Sequence, residues 1–142
     1  MSVALSPGLN PRPYLDEVKK PDHYSGLILH GYGAGHVPGR ETGDWIGVIR
    51  EATGRGLPVL VVSPLASGRA SASDYAVGRA VIEAGGIPMH GMVTPAAEMK
   101  FRLLIAAAGF QDRPRIEFIR GLMATSHFGE LGGTPPSTWS GV

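Results

Sequence analysis

The chain has 142 residues, of which 43% are hydrophobic and 18% charged, a length and composition that suit one compact domain with a single core. Thirteen Lys and Arg against twelve Asp and Glu leave a net charge of +1, spread along the chain, so no footprint for nucleic acid or an anionic membrane is present. The absence of cysteine excludes disulfides, thiolate zinc sites and a cysteine nucleophile, and is compatible with a cytoplasmic setting.

The first residues, Met1 to Pro7, have neither a basic start nor a long apolar core, so no signal or transit peptide is expected. The apolar runs are too short to cross a bilayer. Val3-Ala4-Leu5 reads as a short strand leading into a Ser6 to Pro11 loop. Pro13 to Lys20 follows as a helix stopped by Pro21. Gly26-Leu27-Ile28-Leu29-His30 is a continuous apolar run that feeds Gly31-Tyr32-Gly33-Ala34-Gly35-His36, the look of a parallel strand covered on both faces and ending in a glycine loop. Asp44 to Arg55 carries Trp45, Val48, Ile49 and Ala52 at helical spacing, with Gly54 and Gly56 placed to cap its end.

Leu57 to Ser63 is the most β-prone window and is expected to be the central strand, with Pro58 near its start. Ser67 to Ser73 reads as a loop. Tyr75 to Ala84 reads as a helix stopped by Gly85-Gly86, with Val77, Ala80, Val81 and Ala84 on one side. A short strand within Gly86 to Val93 follows. Thr94 is then expected as an N-cap, with Pro95 opening a helix to about Ala108. On this helix Lys100 and Arg102 are expected on a solvated face beside a core stripe of Met99, Leu103 and Leu104. Arg115 to Met123 is a last helix, which closes a domain over residues 1–131. The Gly, Pro and Ser tail over 132–142 is expected to be flexible.

Strands that alternate with helices predict an α/β fold: a three-layer sandwich with a small parallel, flavodoxin-like or doubly wound sheet. Ligands in such sheets sit beyond the carboxyl ends of the strands, at a switch point of strand order. Three loops therefore lead the search: Ser6 to Pro11, His30 to Pro38, and Ser63 to Ser73.

Gly26 to Pro38 resembles the "GLVLxGYGxGNxP" segment that opens the C-terminal domain of asparaginase-type amidohydrolases and of a related archaeal transamidation subunit. Later signals come in the same order. Gly54 to Ser63 resembles "ERGIPVVVxSQ", and Gly68-Arg69 with Tyr75 to Gly78 resembles "GRVxxxxYxVG". Thr94-Pro95, Arg115 to Met123 and Gly129-Glu130-Leu131 resemble "TPEAALxKL", "xxVRxxM" and the closing "GEL" of the cytoplasmic type. The match covers Val3 to about Leu131, and Pro7-Gly8 resembles the family's first-strand exit, so the chain is expected to begin about where the interdomain linker ends.

The resemblance implies the fold, a partnering surface and assembly as a homo-oligomer. The family's catalytic threonines, in "TGGTI" and "HGTDT", belong to an N-terminal domain, and neither motif occurs in these 142 residues. Gly132-Gly133-Thr134 matches three letters of the first, but Pro135-Pro136 follow it. The chain also departs from the pattern it matches. His36 replaces the asparagine of the glycine loop, Pro64 the glutamine after the central strand, and Met92 or Val93 the aspartate before the helix threonine. The family's helix lysine falls on Phe101 by count, with Lys100 adjacent.

Two readings of the site follow. In the first, the chain is a subunit that binds a small amino acid or carboxylate, or completes a separately encoded threonine-bearing N-terminal-type subunit. Its site draws on Tyr32, Gly33, His36, Ser63, Ser67, Arg69, Asp74 and Tyr75, with Arg69 as a bidentate fork. In the second it is an enzyme in which His30, Tyr32 and His36 act on a small carboxylated substrate, histidine being the natural acid or base near neutral pH. No cofactor and no metal are expected. His30, His36 and His90 could share the sheet's edge, but their spacing is not a zinc signature. The alternating glycines lack the nucleotide fingerprints. Trp45 is expected to pack its helix, and Trp139, in the tail, to dock on another chain.

Overall fold

The computed structural model describes residues 1–20, 22–33, 35–39, 43–63, 74–89, 91–109, 115–127 and 130–131, with backbone only for 74–77. Chain order is β1 (Ser2–Ala4), α1 (Arg12–Glu17), β2 (Leu27–His30), α2 (Trp45–Gly54), β3 (Val59–Val62), α3 (Asp74–Glu83), β4 (Ile87–Pro88), α4 (Thr94–Ala108) and α5 (Arg115–Met123). The strands form one parallel sheet in the order β1-β2-β3-β4.

That order settles the layering. Three helical connections step across the sheet in one direction, and connections of one hand must then lie on one face. Alternate residues of each strand point to opposite faces. Leu27, Leu29, Val59 and Val61 accordingly meet Trp45, Val48, Ile49 and Ala52 of α2 and Val81 and Ala84 at the end of α3. Ile28, Leu60, Val62 and Ile87 meet Ala97, Phe101 and Ala108 of α4 and Ile119 and Met123 of α5. The chain thus covers the first face with α1 to α3 and crosses to the second only after β4. The three-layer α/β sandwich expected from the sequence is found, but the reversal of strand order that would make a flavodoxin-like switch point does not occur among the described strands.

Helix ends follow from local chemistry. Asp44 caps α2, its carboxylate accepting from the Gly47 amide at 2.9 Å. At its other end Gly56 (φ +80°) takes the left-handed position, and the Gly56 and Leu57 amides return to Thr53 and Ala52. Gly85 (φ +85°) ends α3 the same way, with Gly85 and Gly86 bonding back to Ile82 and Val81. Trp45 packs as expected: it is buried, its ring lies 5.0 Å from that of Tyr14, and its indole N–H donates to the Leu9 carbonyl at 3.4 Å.

Three expectations are corrected. Helix α1 stops at Glu17 rather than Lys20, because the chain leaves helical pairing after the Val18 amide bonds to Tyr14. Lys100 is not on a solvated face. Its ammonium donates to the Thr125 carbonyl at 2.5 Å and to Glu130 at 2.6 Å, with the two charged side chains only 13% and 15% exposed. Met99 and Leu103 are not core residues, being 59% and 64% exposed. The buried side of α4 is instead Ala97, Phe101 and Ala108, with Ile105 and Leu104 at its margins. The apolar residues of α4 go nearly all the way round, so periodicity alone could not choose the side. The expected tail over 132–142, including Trp139, lies outside the described residues.

Phe101 anchors α4 and α5 to the sheet, so Phe101→Ala should cost about 3–5 kcal/mol. Urea unfolding should show a lower midpoint at an unchanged slope, and a loss under about 1 kcal/mol would mean that this layer is not held as described.

Candidate functional site

The site is built at the carboxyl ends of β2 and β3. Past His30 the Gly31 amide still bonds to Val62 at 2.9 Å, and the chain then folds back on itself. The Tyr32 amide donates to the His36 carbonyl, and the Gly35 and His36 amides both donate to the Tyr32 carbonyl, each at 2.8 Å. Tyr32 and His36 form an isolated antiparallel bridge, with their rings stacked at 6.4 Å between centroids and 26° between planes. Glycines at 33 and 35 supply φ of +44° and +96°, which side chains disfavour. Gly31 has a different reason: a Cβ there would lie 2.6–2.8 Å from the backbone of Gly35.

Two hydroxyls fasten this turn to the rest of the fold. Ser63, the first residue beyond β3, donates from Oγ to the Gly33 carbonyl at 2.5 Å. Thr94 donates from Oγ1 to the Ser63 carbonyl at 2.5 Å. This corrects the expected role of Thr94. It is the first residue of α4 and makes no capping bond, Val93 holds the cap position, and the hydroxyl reaches across to the end of β3 instead. The partner lies 31 residues away in sequence, which no local pattern reveals.

Of the residues named from sequence, Tyr32, Gly33, His36 and Ser63 come together here. Tyr32 is half-buried against the first core cluster, while His36 is exposed. Ser67, Arg69 and His90 lie outside the described residues. Asp74 and Tyr75 open α3, and only their backbone is described.

His30 takes another direction. It follows the alternation of β2 on to the face covered by α4, where Nε2 lies 2.9 Å from the Ser2 hydroxyl and 3.4 Å from Glu98 Oε1. Glu98 in turn lies 3.5 Å from Arg102. A serine, a histidine and a carboxylate therefore meet, but both oxygens approach the same ring nitrogen. A nucleophile relay needs the acid on one nitrogen and the hydroxyl on the other, so this group is not wired for one. The Ser63 hydroxyl donates to the Gly33 carbonyl, a bond that fastens the turn. Among the described residues no three His, Asp or Glu side chains are placed to hold a metal ion. Among them, too, no helix is long and apolar enough to cross a membrane.

The residues missed by sequence reasoning are Thr94 as a tie, Glu98 as the partner of His30, and Glu130. The Glu130 carboxylate accepts from the His127 amide at 3.0 Å and the Ser126 hydroxyl at 3.3 Å as well as from Lys100, which ties the chain beyond α5 to α4.

A three-layer sheet whose second strand ends in this glycine knot matches one family. The model of the glutaminase/asparaginase C-terminal domain matches residues 2–117, and the chain belongs to that family. Among curated relatives, the D subunit of the glutamyl-tRNA(Gln) amidotransferase of Pyrococcus horikoshii is 33% identical over 108 residues, covering 76% of this chain and 23% of the relative. The corresponding D subunit of Methanothermobacter thermautotrophicus is 33% identical over 128 residues, covering 88% and 26%. The thermostable L-asparaginase of Thermococcus kodakarensis superposes with a TM-score of 0.73 at 29% identity, covering 94% of this chain and 38% of that one. L-asparaginase I of Vibrio cholerae shares the fold, with a TM-score of 0.70 at 23% identity, covering 91% and 36%. The chain thus spans about a quarter of the length of the curated relatives it matches.

Gly31→Ala should lower stability by about 1–3 kcal/mol, since the methyl must displace backbone. Lys100→Met, which removes the 2.6 Å ion pair with the largely buried Glu130, should cost a similar amount, about 1–3 kcal/mol. Equilibrium urea denaturation measures both, and a neutral result in either would contradict the contact concerned.

Proposed function

We propose that this chain is a companion subunit rather than an amidohydrolase in its own right. In this reading it binds a small amino acid or related carboxylate at the carboxyl edge of its sheet, or completes the site of a separate threonine-bearing domain. The observation that carries the proposal is the fastening of the Tyr32–His36 turn to β3 and α4 through Ser63 and Thr94. Holding an exposed imidazole and a half-buried phenol on a turn pinned at two points removes the ordering cost that a loose loop would impose on binding. The proposed site also draws, from the sequence alone, on Ser67, Arg69, Asp74 and Tyr75, with Arg69 as the fork for a carboxylate.

The companion role is further supported by the curated relatives, which are, by name, subunits of an amidotransferase. Assembly as a homo-oligomer belongs to the same reading. The alternative, an enzyme using His30, Tyr32 and His36 together, has less support, because the His30 ring is committed to Ser2 and Glu98 on the α4 face.

Thermal unfolding with asparagine, aspartate, glutamine or glutamate tests the proposal. A ligand at about 100 times its dissociation constant stabilises by roughly 2.7 kcal/mol, a shift of several degrees for a domain this size. His36→Ala should abolish the shift without lowering the unliganded melting temperature, because His36 is exposed. If none of the four amino acids moves the transition and no threonine-bearing domain is captured, the proposal fails.

A further inference from the structure

Helix α4 presents to solvent the side that a surface helix normally fills with charge. Met99 and Leu103, one turn apart, are 59% and 64% exposed, and Pro95, Ala106 and Ala107 continue the same outward stripe. Its only lysine is withdrawn to Glu130 on one flank, which leaves Arg102 as the helix's one exposed cation. The remaining charges, Glu98 and Arg102, lie along the other flank, one turn apart.

We infer that this face pairs with α4 of a second copy of the chain, the two helices antiparallel about a two-fold axis near position 101. The inference rests on the homo-oligomer reading above and says which surface forms it. Two kinds of complementarity favour a second copy in this orientation. Size is the first. Setting Met99 against Leu103 of the second copy brings the bulky amino end of the helix, with Val93 and Pro95, against the small carboxyl end, with Ala107 and Gly109. A parallel pair would set bulk against bulk at one end and leave a gap at the other. Charge is the second. Arg102 of each copy comes within two residues, about 3 Å along the helix, of Glu98 of the other, within reach of its long side chain, so the ion pair now made within the helix at 3.5 Å can be exchanged across the axis twice. One helix face buries less than the ~800 Å² per partner of a standard interface, so the dissociation constant should be on the order of 10–100 µM.

Sedimentation equilibrium of the purified chain from about 1 to 300 µM tests this. The mass should approach two chains at the upper end. Leu103→Glu and Met99→Lys should each weaken association at least tenfold while the melting temperature at low concentration stays unchanged, since both side chains are exposed. The orientation has its own test, because the chain has no cysteine. A Met99→Cys chain mixed with a Leu103→Cys chain should oxidise mainly to the mixed disulfide. A wild-type chain that stays monomeric throughout overturns the homo-oligomer reading and this one together. A dimer that survives both charge substitutions, or one in which mixed and like disulfides form equally, overturns the α4 pairing alone.

Discussion

The fold depends on keeping β3 dry on both faces. Val59, Leu60, Val61 and Val62 are all buried, with strand neighbours on either side, so four consecutive apolar residues have no solvent-facing side. At ~25 cal/mol per Å² of apolar surface, such a strand is stable only between two helical layers. The first layer comes from the crossover helices that connect the strands. The second must come from elsewhere, because connections of one hand stepping one way cannot reach it. Helices α4 and α5, which follow the last of the described strands, are that second layer.

A sheet wound this way delivers its polar strand ends to one edge, and the polar contacts there do what apolar packing cannot. Apolar burial is tolerant of small displacements, whereas hydroxyl-to-carbonyl bonds at 2.5 Å are directional. Ser63 and Thr94 convert the position of β3 and α4 into the position of the Tyr32–His36 turn. The backbone bonds inside the turn then set the two rings against each other. Among the described strands the order does not reverse, and the fastened turn gives this edge one defined element. His30, two residues before Tyr32, is claimed by the opposite layer through simple strand alternation.

The withdrawal of Lys100 has consequences at both ends of α4. Paired with Glu130, it holds the chain beyond α5 against the helix and keeps a charge off the surface. Met99 and Leu103, on another side of the helix, stay uncovered. Among the described helices α4 exposes two large apolar side chains, Met99 and Leu103.

Much of this was legible from the amino-acid sequence, because it rests on local chemistry: the apolar runs of β2 and β3, the glycines that end α2 and α3, and the order of motifs that resembles the asparaginase C-terminal domain. Each of these depends on residues within a turn or two of one another. What only the tertiary structure decided involves partners distant in the chain. Thr94 reads as a helix cap and instead holds Ser63, 31 residues away. His30 and His36 read as one cluster, and the pleat of β2 sends the first to Glu98. Helix α4, apolar on almost every side, left its buried face undetermined until the sheet chose Phe101 and left Met99 and Leu103 outside. The physical reason is common to all three: a side chain's direction is set by the backbone it stands on, but its partner is set by whichever element the packing brings opposite.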